Sequence, residues 1–282
     1  MESLQRLWLP PKMTEIKENC FYGCRGLKHI ILPPQLNKIG KYAFNTCVNL
    51  RAINLPDSLT IMSSNAFYAC FKLKAAKLPP NLTLLGAQAF GNCGSLRHVD
   101  IPPTLRNLED QVFTGCSSLT KVELPPSMTT IQSYFFYSCE SLKELTIPSS
   151  VTWIERGVFK DCKSLDEITI PLTVKKLANE AFAGCKSLKK IVIPSSITSI
   201  SEALFCSCTS LKEVIIPSSV TLIEERAFTR CSSLEHLKVP SSVKKNAFEK
   251  CTGLKDMSLP EDLYDYDYYG IPQDVEIVPL EE

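Results

Sequence analysis

Thirteen cysteines and three histidines are the side chains of this chain with the widest chemistry: metal ligation, disulfides, or a thiolate with its base. Spacing decides among these. Cys24, Cys47, Cys70, Cys93, Cys116, Cys139, Cys162, Cys185, Cys208 and Cys231 each stand 23 residues from the next. Eleven prolines, Pro10 to Pro240, and ten phenylalanines, Phe21 to Phe228, keep the same interval. A fixed period of this size predicts a solenoid, in which each unit buries its apolar face only against its neighbours. Equivalent positions then point the same way, and the ten cysteines form one column. Adjacent strands lie about 4.8 Å apart, within disulfide reach. Each thiol would nevertheless have to turn sideways out of its packing site, so the column reads as reduced, buried thiols acting as small hydrophobes. Cys20 and Cys206 fall outside the period. Each forms a local bridge or is a substituted core residue, and the second reading is preferred.

The histidines offer less. His29, His98 and His236 share one repeat position, four before the proline. His29 and His98 are three repeats apart, about 14 Å by strand spacing, too far to share a metal. No CxxC-type pair stands near further Cys or His. The 11 glycines are scattered, so no phosphate-cradling loop is present. The expectation is no metal, no cofactor, no catalytic residue and no enzyme.

The elements that carry these columns are short. In residues 142–164, LKELTIPSSVTWIERGVFKDCKS, Leu145 and Ile147 face inward around an outward Thr146. Pro148 ends that strand because it lacks an N–H, and Ser149 and Ser150 supply turn chemistry. Val151 and Ile154 anchor a second extended segment. Val158, Phe159 and Cys162 fit about one helical or 3₁₀ turn, and the phenylalanines stack along the solenoid. The inward strand position runs Leu7, Ile30, Ile53, Ala76, Val99, Val122, Leu145, Ile168, Ile191, Val214, Leu237, Met257, all apolar. Twelve such strands would make a sheet roughly 50–60 Å long.

The frame CxSLxxIxIPSSVTxIxxxAFxxC, over residues 1–260, resembles the BspA-like leucine-rich repeat family. That resemblance implies an α/β fold: a right-handed, curved leucine-rich repeat solenoid with a parallel sheet on its inner face and short strands or 3₁₀ turns outside. Members are mostly surface or secreted proteins of mucosa-dwelling bacteria and protists, associated with adhesion, and the family has no catalytic motif to carry over.

The ends depart from the frame. MESL at 1–4 aligns with CESL at 139–142, so about twelve repeats begin in mid-repeat. Either the sequence is a piece of a longer array, or its uncapped first core face is covered by a partner or, through self-association, by a second copy. The interval from Cys231 to Cys251 drops to 20 residues. Residues 261–282 read as an acidic, Tyr-rich cap or tail in which Tyr264, Tyr266, Tyr268 and Tyr269 cover the last core layer; the sharper reading is a ligand segment. Leu263 keeps the frame, and VEIV at 275–278 suits a last strand. The N-terminus has no signal-peptide pattern, and no apolar run is long enough to span a membrane.

Charge supplies the one readable binding feature. Residues 1–141 carry 14 Lys/Arg and 9 Asp/Glu, net +5; residues 1–260 reach +9, because eight acids crowd the last 22 residues. Five before each proline stand Gln5, Lys28, Arg51, Lys74, Arg97, Thr120, Lys143, Asp166, Lys189, Lys212, Glu235 and, in frame, Lys255. Read as an outward strand position, this is a basic ladder, with His29, Lys77 and His98 alongside. Trp8, Ile31, Val192 and Ile215 are outward apolar residues that suit protein anchors. The ladder either keeps a flat sheet soluble and free of edge-on association, or meets a protein partner, at the extracellular matrix or a cell surface, in an adhesion role. An acidic or sulfated glycan is the alternative, and a structural array or intracellular scaffold the third. Sequence-specific nucleic-acid binding is not expected, since the aromatics belong to the core. The family resemblance places the protein at a cell surface or outside the cell; a cytoplasmic scaffold is the alternative.

Overall fold

The computed structural model describes residues 5–239, 242–259 and 265–279. The start of the first repeat (1–4), Pro240, Leu263 and Tyr264 lie outside them. The fold is a parallel β-solenoid of about eleven coils with almost no helix. It divides into two compact units, residues 1–128 with 134–148, and residues 129–133 with 149–282.

In the first unit the strands fall into two series, the first of them interrupted at residues 52–54 into a two-stranded and a three-stranded sheet. The first holds Arg6–Trp8, His29–Ile31, Ala75–Lys77, His98–Asp100 and Lys121–Glu123. The second holds Glu15–Ile16, Lys38–Ile39, Ile61–Met62, Leu84–Leu85 and Asn107–Leu108 in one five-stranded parallel sheet. Pairing joins residues one period apart, as in Leu7 with Ile30 and Ile39 with Met62. The three-residue strands read exposed–buried–exposed, as the alternation demands. Each strand end is turned by its proline, whose carbonyl accepts from the N–H three residues on, as Pro33 does from Leu36 at 3.2 Å.

The second unit repeats this plan. Thr130–Ile131, Trp153–Ile154 and Lys176–Leu177 form one ladder segment, and Ser199–Ile200 with Leu222–Ile223 another. Lys190–Val192, Glu213–Ile215, His236–Lys238, Asp256–Leu259 and Glu276–Pro279 make a five-stranded parallel sheet. The shortened coil loses one anchor, and Val243 makes a single bridge to Ile223 in its place.

Of the helical or 3₁₀ turn that the spacing predicts, the third side of each coil keeps the bond to the residue three before and is not α-helical. Ala43, Asn45 and Cys47 each donate to the residue three before, while Tyr42, Phe44 and Thr46 between them donate to Ser64, Ala66 and Tyr68 of the next coil. Alternate amides therefore leave the coil, which no α-helix permits. Two left-handed residues per coil set this alternation, such as Tyr42 (φ 54°) and Thr46 (φ 56°), and most of these are not glycine. A left-handed non-glycine residue costs roughly 1–2 kcal/mol. The bonds to neighbouring coils hold it there.

Apolar side chains fill the interior. Phe21, Phe44, Phe67, Phe90, Phe113 and Phe136 stack in the first unit with centroids 5.0 to 6.0 Å apart. Phe159, Phe182, Phe205, Phe228 and Phe248 do the same in the second, at 5.3 to 5.9 Å. The periodic cysteines are buried and unbridged. Their Sγ atoms donate to the phenylalanine carbonyl of the preceding coil, as Cys93 does to Phe67 at 3.2 Å. The two aperiodic cysteines are not core residues: Cys20 is exposed, Cys206 is half-buried, and both are free thiols. Their positions lie on the turn side, where the chain faces solvent.

At the last core layer the described residues include two apolar side chains and one exposed tyrosine. Ile271 and Val275 are buried there, whereas Tyr268 is 45% exposed. The short helix Tyr266–Tyr269 serves through its backbone, with the carbonyls of Tyr268 and Tyr269 accepting from Asn246 and Phe248. The strand Glu276–Pro279 continues the sheet beside Asp256–Leu259.

Two outcomes follow. Phe182→Ala, which removes a fully buried ring stacked on both sides, costs about 3–5 kcal/mol in urea unfolding; a loss below about 1 kcal/mol would contradict the stack. Burial pushes Cys47 and Cys116 up to about 12 from the ordinary 9.0. The folded state then keeps protons that the unfolded chain releases. Their stabilisation is whole below pH 9.0 and is lost as pH rises towards about 12. Urea midpoints should therefore fall across that window, and native thiol labelling should mark Cys20 before any periodic cysteine.

Candidate functional site

The strand face of the first unit carries the candidate residues. The strands begin one residue later than the sequence implies, at the position four before the proline. Lys28, Arg51, Lys74 and Arg97 therefore precede the strands rather than lying within them. Backbone bonds still fix their order: Arg51 donates to Lys28, Lys74 to Arg51 and Arg97 to Lys74, at 3.0 to 3.2 Å. Arg51, Lys74 and Arg97 are exposed, and Lys28 is half-buried beside the side chain of Gln5. Among the described residues none of these four makes an ion pair. Lys143, also exposed, stands in the equivalent place of its own coil.

The outward strand positions form two further rows. By register Arg6 with His29, and Ala75, His98 and Lys121, belong to one; Trp8 with Ile31, and Lys77, Asp100 and Glu123, belong to the other, and Ala52 and Asn54 hold the equivalent places in the unpaired coil between. Acids temper the positive charge at one end, because His98 meets Asp100 at 2.6 Å and Lys121 lies 3.5 Å from Glu123. Lys77 is in register with Asp100. The other end has no acid among the described residues of these rows. Trp8 is 65% and Ile31 57% exposed, side by side in register.

The second unit is electrically different. Lys189 and Lys212 are exposed and consecutive, joined by a backbone bond of 2.9 Å. Around them the charges are matched: Lys190 with Glu213 at 2.9 Å, Lys255 with Glu235 at 2.6 Å, His236 with Asp256 at 2.6 Å. The hydrogen bond from Lys255 holds the Glu235 carboxyl below its usual range. Val192 and Ile215 are paired in register and about half exposed. The structure thus gathers the predicted residues into a basic row with an apolar pair in one unit, and a neutralised face with an apolar pair in the other.

Two features escape sequence reasoning. Ala52–Asn54 do not pair as a strand, and among the described residues their backbone groups make no hydrogen bond. A depression of about 310 Å³ opens there, lined by residues 6–8, 29–31 and 52–54. Residues 144–146 likewise stand outside the strands, and a depression of about 450 Å³ opens between them and Lys121–Leu124. Small side chains at positions 52 and 75 were the available signal. No cluster of three His, Cys, Asp or Glu residues suited to a metal occurs among the described residues, and none of their helices is long and apolar enough to cross a membrane.

Exposed side chains without partners contribute little to folding. Lys74→Ala and Arg97→Ala should each shift urea stability by less than about 0.5 kcal/mol; a larger loss would give the row a structural role instead.

A family model for the BspA type leucine-rich repeat region matches residues 1–120, 84–205 and 175–271. No curated protein matches. Among solved structures, a leucine-rich repeat protein from Bacteroides ovatus is 26% identical with a TM-score of 0.73, over 99% of this chain and 84% of that one. The T. pallidum leucine-rich repeat protein is 32% identical with a TM-score of 0.55, over 57% of this chain and 77% of its own. A leucine-rich cell surface protein from Faecalibacterium prausnitzii shares the fold at 24% identity and a TM-score of 0.64, over 97% of this chain and 79% of that chain. Solenoids of this kind typically mediate protein interaction and are typically non-enzymatic binding scaffolds. The chain belongs to the BspA-type leucine-rich repeat family.

Proposed function

We propose that this protein is a binding and adhesion module that engages an acidic protein surface through the strand face of its first unit. The observation that carries this reading is the row Lys28, Arg51, Lys74 and Arg97, four cations on consecutive coils with no carboxylate of the described residues paired to them. Coils spaced about 4.8 Å apart hold these charges in a fixed line. Like charges so close repel one another, and folding does not use them. A partner bearing carboxylates relieves that repulsion, steers association and sets its salt dependence. Trp8 and Ile31 then supply apolar contact beside the charged row. Affinity accumulates over several coils, each contact being weak. The family supports placing the module at a cell surface, and on this reading the protein is not an enzyme.

The test measures binding of the purified chain to extracellular-matrix and cell-surface proteins across a salt series. The variant K28E/R51E/K74E/R97E serves as comparison, with its fold checked by circular dichroism. Binding by the parent that weakens at least tenfold in the variant supports the reading. Equal binding by both would move the site off this face. Displacement by heparin, with a steep salt slope and no protein partner, would favour a sulfated glycan instead.

A further inference from the structure

The depression beside Trp8 joins three kinds of chemistry within three coils of the first unit. Its apolar wall is the exposed indole of Trp8 and the side chain of Ile31. Its polar wall is the Arg6 guanidinium with the imidazole of His29, one row across the same strands. Its far end is Ala52–Asn54, where a short side chain leaves room and the backbone N–H and C=O groups are bonded to no described residue. The lining contains no acid. Two residues along a strand span about 6.6 Å and two coil steps about 10 Å, so the floor is the size of one or two small rings. A volume of about 310 Å³ stands at the small end of ligand sites.

These features constrain the occupant. An aliphatic side chain would cover Trp8 but leave Arg6, His29 and the free backbone groups to water. A bare sulfate or phosphate would answer Arg6 and leave the indole exposed. A pyranose has an apolar C–H face to lie on an aromatic ring and hydroxyls for Asn54 and the backbone at 52–54. A carboxylate on that ring would meet Arg6, the residue type best shaped for it. We propose that this recess binds an acidic sugar residue of the uronic or sialic acid class. The inference goes beyond the protein-binding reading and uses rows adjacent to the basic one.

The second depression provides an internal contrast. It also opens beside coil residues outside the strands, but Glu123 and Glu144 line it and no aromatic does. An anionic sugar would be repelled there.

Only two tryptophans are present, so W153F leaves Trp8 as the sole indole reporter. Glucuronic acid and N-acetylneuraminic acid are titrated against W153F by fluorescence and against the parent by amide NMR, with glucose as the neutral control. The expected result is saturable quenching of Trp8 by the acidic sugars. Amide shifts should be confined to residues 5–8, 29–31 and 52–54. W8A, at an exposed position, should weaken binding at least tenfold, and R6Q should abolish the preference over glucose. K74E/R97E, outside the recess, should leave sugar affinity within about twofold while lowering protein binding, so the two readings fail separately. No saturable binding, equal binding of glucose, or shifts centred on residues 144–146 would overturn the proposal. So would a peptide of residues 265–269 occupying the recess when the sugars do not, since that marks an acidic aromatic peptide site.

Discussion

Phenylalanine carbonyls within the stack accept two hydrogens where a cysteine follows in the next coil. Phe44 takes the N–H of Cys47 in its own coil and the S–H of Cys70 in the next. Both lone pairs of that oxygen are thereby used, one closing a turn and one joining two coils. The same arrangement recurs at Phe67, Phe90 and Phe205. It explains why the small buried residue at this point is cysteine rather than alanine. Alanine would fill part of the space and leave the link between coils unmade. Serine would keep a donor but place it closer to its own backbone and raise the cost of burial. The period of 23 residues is the distance over which this link repeats.

Much of the fold was legible because the packing signals are periodic. The inward positions from Ile30 to Met257 are buried, as their alternation with outward residues requires. The turn side was not legible. Phe159 and Cys162 sit three residues apart in a helix or in a train of turns alike, so spacing cannot separate the two. The deciding feature is the left-handed backbone at positions such as Tyr42 and Gln88, where glycine would be the usual marker and is missing. Bonds from neighbouring coils impose that conformation, and a single repeat does not display them. Gly86 answers to space and not to a left-handed backbone: a Cβ there would sit 2.4 Å from the backbone nitrogen of Ser64.

The candidate site was legible in its residues and not in its electrostatics. Exposure of Arg51, Lys74 and Arg97 follows from their place outside the apolar frame. Which lysines are neutralised depends on register between coils. Lys190 and Glu213 stand 23 residues apart and meet only because the coils stack without slip. The recess at Trp8 depends on what its neighbours lack, since Ala52, short like Ala75 of the next coil, leaves a gap beside Arg6 and His29. Such a gap belongs to three coils together, and no one of them contains its signature.

The double-acceptor carbonyl also bears on how such a chain changes length. Every coil offers its successor the same acceptor and its predecessor the same thiol, so one whole coil can be duplicated or removed and both junctions remain intact. A change of any other length misaligns thiol and carbonyl unless the loss falls elsewhere in the coil. The coil ending at Cys251 meets that condition: it is three residues short, yet its thiol still reaches the carbonyl of Phe228 at 3.0 Å. Recombination between repeats is therefore tolerated in whole-coil steps. The number of coils, and with it the extent of the outer surface, can drift between lineages while the interior stays the same.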